Sequence, residues 1–238
     1  DIVSMENVGG LADMKKYPIF KMFIDTLKES GYAYKYEIVD VSEYGVPQRR
    51  KRLVLLASRF GEIQLIKRTH EDKRITVRDV IKNLEPLKDG ETSKTDPLHK
   101  ARQLSPTNLK RIKATPHNGG SSRSWDKSLV LACHKKDSGK TYRGTVYGRM
   151  RWDDPAPTMT TQCIGLGNGR FGHPEQDRAI SLREAAIFQT FPVDYRFTES
   201  NEPIVSAHVA KFIGNAVPVR LGSVLGKSIE NHLKEYAG

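Results

Sequence analysis

Four basic residues, 49–52, stand directly before an apolar run at 53–57 that has the pattern of a buried strand. A buried strand does not usually begin with a cluster of charge, because charge is costly to remove from water unless it is paired. The placement of Arg50 and Arg52 therefore indicates a binding or catalytic role. A solvated basic turn or a Lys/Arg-rich sorting signal explains the run equally well when it is considered alone.

Glu6 is a further residue whose position could give it a catalytic or binding role. Residues 1–8 have the pattern of a strand that Gly9 and Gly10 end. A carboxylate at the C-terminal end of a strand lies where α/β sheets place their ligands. A solvated strand end is the competing interpretation, and Glu6 alone does not decide between the two.

The elements that must position these residues have the pattern of an α/β fold. A helix is expected from Pro18 to Leu27, followed by a strand over 34–38 and another over 52–57. Strand, helix, strand, strand is typical of an α/β layer architecture. Further helices are predicted at 77–84, after a capping box formed by Ser181 and Glu184, at 207–213, and from Pro218 onward.

Length and cysteine content limit the class of protein. The 238 residues suffice for one large domain or two small ones. Cys133 and Cys163 form no C-x-x-C pair, so neither a disulfide framework nor a zinc site is expected, and a reducing, cytosolic setting fits. No apolar run reaches the roughly 18–20 residues of a membrane span. We therefore expect a soluble protein without a bound metal or a membrane partner.

The net charge of +11 is concentrated in one window. Residues 99–151 hold 13 Lys and Arg against 2 Asp and Glu, so the rest of the chain is neutral. This distribution is typical of a surface that meets a polyanion. Gly/Ser turns at 115–123 and 137–140, together with the aromatic residues of the window, predict a folded, loop-rich module of short strands rather than a basic tail; these aromatics are Trp125, Tyr142, Tyr147 and the adjacent Trp152.

A glycine-rich run at 164–169 invites comparison with a dinucleotide-binding loop. No clear strand precedes this run and no helix follows it, so the interpretation is rejected.

Four separated segments carry motifs in a characteristic order: Glu6-Asn7-Val8, Gln48-x-Arg50-x-Arg52, Arg183-Glu184 through Gln189-x-Phe191-Pro192, and Gly214-Asn215-Ala216-Val217-Pro218. With a basic insert between the second and the third, they resemble the motifs of the DNA (cytosine-5)-methyltransferase family. Residues 154–161 are similar to the segment that ends the family's target-recognition region. The resemblance extends from residue 1 to about residue 230.

This resemblance implies an α/β fold made of a partial, Rossmann-like S-adenosylmethionine-dependent methyltransferase domain and a smaller, loop-rich, mostly β target-recognition domain. The catalytic domain would contribute its C-terminal part over 1–65. The target-recognition domain would occupy 66–177. Residues 178–238 would form a hinge helix and a C-terminal helix that returns to the catalytic domain.

The resemblance also implies a reaction. Such enzymes add a cysteine thiolate to C6 of a cytosine flipped out of the DNA stack, and C5 then takes a methyl group from S-adenosylmethionine. A carboxylic acid near N3 stabilises the electron density that the addition moves there. Glu6 matches the residue with that role. Arg52, with Arg50 beside it, matches the position that holds the base O2 and the flanking backbone.

Other positions follow from the same resemblance. Asn7 would brace Glu6, and Gln48 would support its loop. Asn215 and Ala216 would form part of the wall of the cofactor pocket.

Double-stranded DNA is the partner that the basic window and the resemblance imply together. Arg123, Arg149 and Arg151 are candidates for base-edge contacts, since a bidentate Arg–guanine pair contributes about 1–3 kcal/mol of discrimination. Thr158, in the segment similar to the end of the target-recognition region, is a fourth candidate DNA contact.

The chain departs from the family pattern in one respect. The family's glycine-rich cofactor loop and its Pro-Cys nucleophile precede the Glu-Asn-Val motif, and this sequence contains neither. Cys133 and Cys163 lie in the recognition region and match no nucleophile. We therefore expect a C-terminal portion or a split subunit, inactive without its N-terminal half, from a restriction-modification setting.

Two alternatives remain open at this point. The chain could be a DNA-binding specificity module without catalysis, or it could belong to a tRNA cytosine-5 methyltransferase. The large basic insert favours DNA over tRNA.

Overall fold

A computed structural model of the protein describes residues 1–135, 144–199 and 202–236. The chain separates into two compact units, Asp1–Arg74 with Val217–Gly238, and Ile75–Ala216. The expected turn at 137–140 and Tyr142 lie outside the described residues.

The unit boundaries differ from the predicted domain boundaries. They fall after Arg74 and after Ala216, whereas the sequence pattern placed them after residues 65 and 177. Leu65 packs into the core of the first unit, so the chain does not leave this unit at residue 65. The segment after 177 remains in the second unit because α5 (Leu182–Phe188) contributes buried residues to the core of that unit.

The first unit is built around a three-stranded sheet in the described part of the chain. Its strands are β1 (Ile2–Val8), β2 (Ala33–Asp40) and β3 (Lys51–Ser58). The strand order is β1-β3-β2, and β3 is antiparallel to both neighbours. Because β3 is central, its residues from 53 to 58 are all buried, as the apolar run predicts.

Helices cover both faces of this sheet. Side chains alternate along β3, so Leu53 packs against α1 (Pro18–Glu29) on one face, and Val54 packs against α7 (Val219–Tyr236) on the other. α1 begins with a proline in its first turn and ends at Glu29, with Ser30 as its C-cap; the following Gly31 has a φ of +78°. The predicted α/β layer architecture is confirmed for this unit.

The described helices of the second unit are short. Besides α5 they are α2 (Val77–Ile81), α3 (Pro106–Lys113), α4 (Ala132–Lys135) and α6 (Ser206–Asn215). Its described residues form isolated β-bridges, such as the one between Arg149 and Gly172, and no β-strand. The unit is also the larger of the two. The described part of this unit is rich in loops, and the expected mostly β character is not seen there.

Half-buried and buried arginines explain how these loops fold without a β-ladder. The Arg170 guanidinium donates hydrogen bonds to the carbonyl oxygens of Gly144 and Gly119, both at 2.6 Å. A buried carbonyl must find a donor, and here a side chain supplies it in place of a neighbouring strand. The loops are thereby held without the period-two pattern by which a strand is recognised.

The predicted capping box begins α5. Ser181 accepts the N–H of Glu184, and the Glu184 carboxylate accepts the N–H of Ser181 at 2.7 Å. Arg178 also binds this carboxylate in a bidentate manner, at 2.8 and 2.7 Å. Burial would raise the pKa of Glu184, but the hydrogen bonds and charge of Arg178 outweigh it and lower that pKa to about 2.

No helix in the described part of the chain combines the length and the apolar character that a bilayer crossing requires. Those same residues bring together no group of three or more His, Cys, Asp or Glu side chains suited to a metal ion.

Candidate active site and nucleic-acid contacts

Glu6 and Arg52 meet on one face of the sheet. The antiparallel register places Val54 opposite Glu6 and Val8 opposite Arg52, so the two charged residues are diagonal neighbours. Arg52 Nε lies 2.8 Å from Glu6 Oε1, and the two side chains are 15% and 17% exposed. The strand pairing thus converts two distant sequence motifs into one ion pair.

Glu6 Oε1, the oxygen in this ion pair, is buried and makes no well-aligned hydrogen bond to the described residues, although Arg52 Nε is near. Arg52 instead directs Nη1 to the carbonyl of Lys51 at 2.8 Å. Glu6 Oε1 is thus paired with Arg52 by charge, and a substrate group that donates a hydrogen bond would complete its interactions.

Arg50 adds a second cation to the cluster. Its side chain is almost fully buried, and this burial lowers the pKa of its guanidinium to about 10. The charge of Arg52 lowers this pKa further, whereas Glu6 raises it. Arg50 therefore remains protonated at neutral pH, and it lies close enough to both residues to be influenced by their charges.

The loop that precedes β3 is tightly held. The Arg50 carbonyl accepts the N–H of Val41 at 3.0 Å, and the N–H of Gln48 donates to the Val46 carbonyl at 2.7 Å. Gln48 is fully buried, and Gly45 has a φ of +82°, which favours glycine. Gln48 is thus buried within a tightly held loop, and its supporting role stays a prediction.

Asn7 lies next to Glu6 on β1. Its side chain points to the sheet face opposite Glu6, because neighbouring strand residues alternate. Its Oδ1 accepts the N–H of Val8 at 2.8 Å. Asn7 therefore holds the end of the strand on which Glu6 lies.

In the second unit, Asn215 and Ala216 occupy the end of α6 and the turn that follows it. Asn215 is exposed and Ala216 is half-buried. The buried Gln189 holds this turn, since its Nε2 donates to the carbonyls of Ile213 at 2.6 Å and of Ala216 at 3.2 Å. An exposed amide on a rigid turn could hydrogen-bond a polar cofactor.

Gly214 precedes this turn and packs directly on the segment around Thr158. A Cβ at Gly214 would overlap the backbone of Thr160 and Thr161. Only glycine permits this close approach. Thr158 itself is half-buried.

Arg149 is a structural residue and not a base reader. Its side chain is fully buried and donates to the carbonyls of Thr115 at 2.9 Å, His173 at 3.0 Å, Gln176 at 2.6 Å and Ile112 at 2.9 Å, and to the Asp177 carboxylate. A guanidinium has five N–H groups, and these contacts engage it on all sides. Arg149 therefore cannot make the base contact that was expected of it.

Arg151 and Arg123 have the opposite character. The Arg151 side chain is 65% exposed, and Arg123 is exposed as well. Arg170 and Arg178, which the sequence reasoning missed, lie partly or fully buried beside backbone carbonyls. No spacing or periodicity distinguishes such arginines from surface ones.

The two cysteines lie in different environments. Cys163 is buried, and burial raises the pKa of its thiol to about 12, so this group stays protonated and unreactive. Cys133 is exposed. The geometry of Cys163 agrees with its exclusion as a nucleophile.

Solved structures define the class of fold. A protein described as a DNA modification methyltransferase encoded within an E. coli prophage matches with a TM-score of 0.69 at 18% identity, over 98% of this chain and 70% of that chain. DNMT2 from Spodoptera frugiperda matches with a TM-score of 0.56 at 18% identity, over 96% of this chain and 66% of that chain. The chain therefore has the fold of the corresponding part of these methyltransferases.

Sequence comparison identifies the family. The profile of the C-5 cytosine-specific DNA methylase family matches residues 1–231, and the chain belongs to this family. It is 48% identical to the type II methylase M.HgiDII of Herpetosiphon aurantiacus over 235 residues, which are 98% of this chain and 66% of that protein. It is 31% identical to the type II methyltransferase M.PspPI of Psychrobacter sp. (strain TA137), over 94% of this chain and 52% of that protein.

The chain thus spans only part of its relatives. It covers 66% of the Herpetosiphon methylase and 20% of DNA (cytosine-5)-methyltransferase 3 of Arabidopsis thaliana, to which it is 28% identical.

Proposed function

We propose that this chain is the C-terminal part or a subunit of a DNA cytosine-5 methyltransferase. It would help transfer a methyl group from S-adenosylmethionine to C5 of a flipped cytosine in a specific DNA sequence, in a restriction-modification setting in the cytosol. Without the N-terminal portion it would be inactive, because that portion would supply the thiol and the cofactor's glycine loop.

The geometry around Glu6 carries this proposal. Glu6 Oε1 is a buried oxygen without a hydrogen bond among the described residues, held 2.8 Å from Arg52 Nε. When a thiol adds to C6 of cytosine, electron density moves to N3, and a carboxylic acid at that position donates a proton or a hydrogen bond. Arg52, with Arg50 beside it, would orient Glu6 and hold the base O2 and the flanking backbone.

S-adenosylmethionine would supply the methyl group when it is bound. Among the described residues, Asn215 and Ala216 fit one wall of its pocket, because Gln189 fixes the turn that exposes the Asn215 amide. In this proposal the unit Ile75–Ala216 recognises the target sequence, with Arg123, Arg151 and Thr158 as its candidate DNA contacts.

The test is methyl transfer by the chain combined with the N-terminal portion found in its relatives. Labelled S-adenosylmethionine and duplex DNA are the substrates. Glu6→Gln keeps the size of the side chain and removes its acid, so we expect a loss of about 10²–10⁴-fold in the methylation rate with DNA binding retained. The matched control is Glu29→Gln, at an exposed position at the end of α1.

Full methyl transfer by Glu6→Gln would refute the catalytic role. No transfer by the unaltered mixture would favour the alternative of a DNA-binding module without catalysis. The tRNA alternative is tested by competition between tRNA and DNA for methylation. The +11 charge of the 99–151 window leads us to expect DNA as the preferred substrate.

A further inference from the structure

The loop at 41–50 ends at Arg50, immediately before β3 begins. Arg52 is fixed by the sheet, since residues of both flanking strands lie opposite it. Arg50 precedes the strand, and its backbone is held by the loop instead: its carbonyl accepts the N–H of Val41 at 3.0 Å. The position of Arg50 therefore depends on how firmly this loop is held.

Glu43, within this loop, binds two arginines from a later segment of the first unit, 68–74. Glu43 Oε1 lies 2.9 Å from Arg74 Nη2, and Oε2 lies 3.2 Å from Arg68 Nε. The Glu43 side chain is 16% exposed, against 37% for Arg68 and 34% for Arg74. The charge of Glu43 raises the pKa of Arg68, and it does so more than any other charge nearby. One largely buried carboxylate thus fastens this segment to the loop.

The same segment also holds the loop through its backbone and by packing. The N–H of His70 donates to the Glu43 carbonyl at 2.8 Å. An ideal Cβ built on Gly45 would lie 2.7 Å from His70 Cε1, so the imidazole lies directly against the loop backbone. The N–H of Val46 then closes the turn on the Val41 carbonyl at 3.4 Å. Because Val41 also bonds the Arg50 carbonyl, the attachment at Glu43 leads through a few hydrogen bonds to Arg50.

We propose that Glu43 is a positioning residue for Arg50. By binding Arg68 and Arg74 it holds the loop in the arrangement that keeps the Arg50 guanidinium near Arg52. The inference rests on the proposed function and deepens it, because it names a residue outside the base pocket that decides whether Arg50 can hold the flipped nucleotide.

Positioning explains this arrangement better than stability alone. Ion pairs whose arginines are about a third exposed add little to stability, so the unit should stay folded when one is removed. A displacement of about 1 Å in an active site, by contrast, can cost about 100-fold in rate. The loss of Glu43 should therefore affect catalysis more than it affects folding.

The first experiment measures kcat and KM for methyl transfer by the chain combined with the N-terminal portion found in its relatives. Glu43→Gln keeps the size of the side chain and removes its charge, so kcat should fall about 10–100-fold while KM for DNA changes less than about twofold. The matched control is Glu71→Gln. It removes an exposed carboxylate that also pairs with Arg68 but lies outside the loop, and it should behave like wild type.

Two further variants test whether the effect passes through Arg50. Arg74→Met breaks the same ion pair from the other side and should lower kcat in the same way. In an Arg50→Met background, Glu43→Gln should cause no further loss of kcat, because the guanidinium that it positions is already absent. Losses that multiply in the double variant would show that Glu43 acts elsewhere and would overturn the proposal.

Hydrogen exchange at Val41 reports on the loop without any need for activity. In Glu43→Gln this N–H should exchange about fivefold faster, because two ion pairs that hold the loop closed are weakened, whereas N–H groups at the centre of β3 should keep their wild-type rates. Should Glu43→Gln unfold the first unit, which faster exchange throughout β3 would reveal, Arg74→Met decides by the same two readouts.

The outcomes separate this inference from the proposed function. Wild-type kcat in Glu43→Gln, wild-type exchange at Val41, or an equal loss of kcat in Glu71→Gln would each overturn the positioning role and leave the proposed function standing. If the unaltered mixture transfers no methyl group, the proposed function fails, and exchange at Val41 still decides whether Glu43 holds the loop.

Discussion

Arg149 and Arg151 are two residues apart and have the same side chain, yet we expect opposite effects when each is replaced by methionine. Arg149→Met removes a fully buried guanidinium that bonds to four carbonyls and one carboxylate. Arg151→Met removes a side chain that is 65% exposed. The pair is therefore a matched test of structural against DNA-binding roles.

The magnitude follows from the carbonyls that lose their donor. Ile112 and Gln176 keep a second hydrogen bond, from Thr115 N–H at 3.0 Å and from Arg178 N–H at 2.9 Å. The carbonyls of Thr115 and His173 accept from Arg149 and from no other donor in the described part of the chain. Each buried group left unpaired costs about 1–3 kcal/mol, so Arg149→Met should lose about 2–6 kcal/mol of stability.

The ion pair adds little to this loss. Asp177 is 41% exposed, so water can solvate its carboxylate once Arg149 is gone. Methionine fills much of the space of the arginine stem, which limits any cavity.

Urea unfolding followed by circular dichroism gives the free energies, and duplex titration gives the affinities. We expect Arg149→Met to be destabilised and Arg151→Met to unfold like wild type but to bind DNA less tightly. A stable Arg149→Met variant with altered sequence preference would refute the structural assignment of Arg149.

Two other predictions concern packing and pH. Gly214→Ala should destabilise the protein by about 1–3 kcal/mol in urea unfolding, because its Cβ overlaps the backbone of Thr160; Gly222→Ala in α7, where nothing lies within 4 Å, should be neutral or stabilising by up to about 1 kcal/mol. Burial lowers the pKa of His173 to about 4, below its ordinary value of about 6.5. Between pH 6.5 and 4 this histidine is protonated in the unfolded chain and neutral in the folded one. The free energy of unfolding should therefore fall by about 1.4 kcal/mol for each pH unit as the pH is lowered from 6.5 to 4. His173 Nδ1 accepts the N–H groups of Glu175 and Gln176, and an asparagine oxygen can accept them in its place. His173→Asn should therefore remove this pH slope, whereas His117→Asn, at an exposed position, should keep it. An unchanged slope in His173→Asn, or a lost slope in His117→Asn, would contradict the assignment.

Local patterns in the amino-acid sequence were sufficient for the elements that position the candidate active site. The apolar run after Arg52 became the central strand, Ser181 and Glu184 formed the capping box, and Pro18 opened a helix. These features depend on residues within a few positions of each other, so spacing alone reveals them. The motifs around Glu6, Arg52 and Asn215 likewise led to the family that the comparisons confirm.

Contacts between residues far apart in the chain could not be predicted from such local patterns. The 2.8 Å approach of Arg52 to Glu6 depends on the register of β1 against β3. The compact units end after Arg74 and Ala216 rather than at the predicted 65 and 177, because packing, rather than composition, decides where a compact unit ends.

The arginines of the second unit illustrate the distinction most clearly. Charge counting placed the excess of +11 within 99–151 and thereby indicated a polyanion as partner. It could not distinguish Arg149 from Arg151, because the difference between them lies in which carbonyls from distant loops surround each guanidinium. Composition establishes how much positive charge the chain carries, whereas only the folded backbone decides which of that charge is available to DNA.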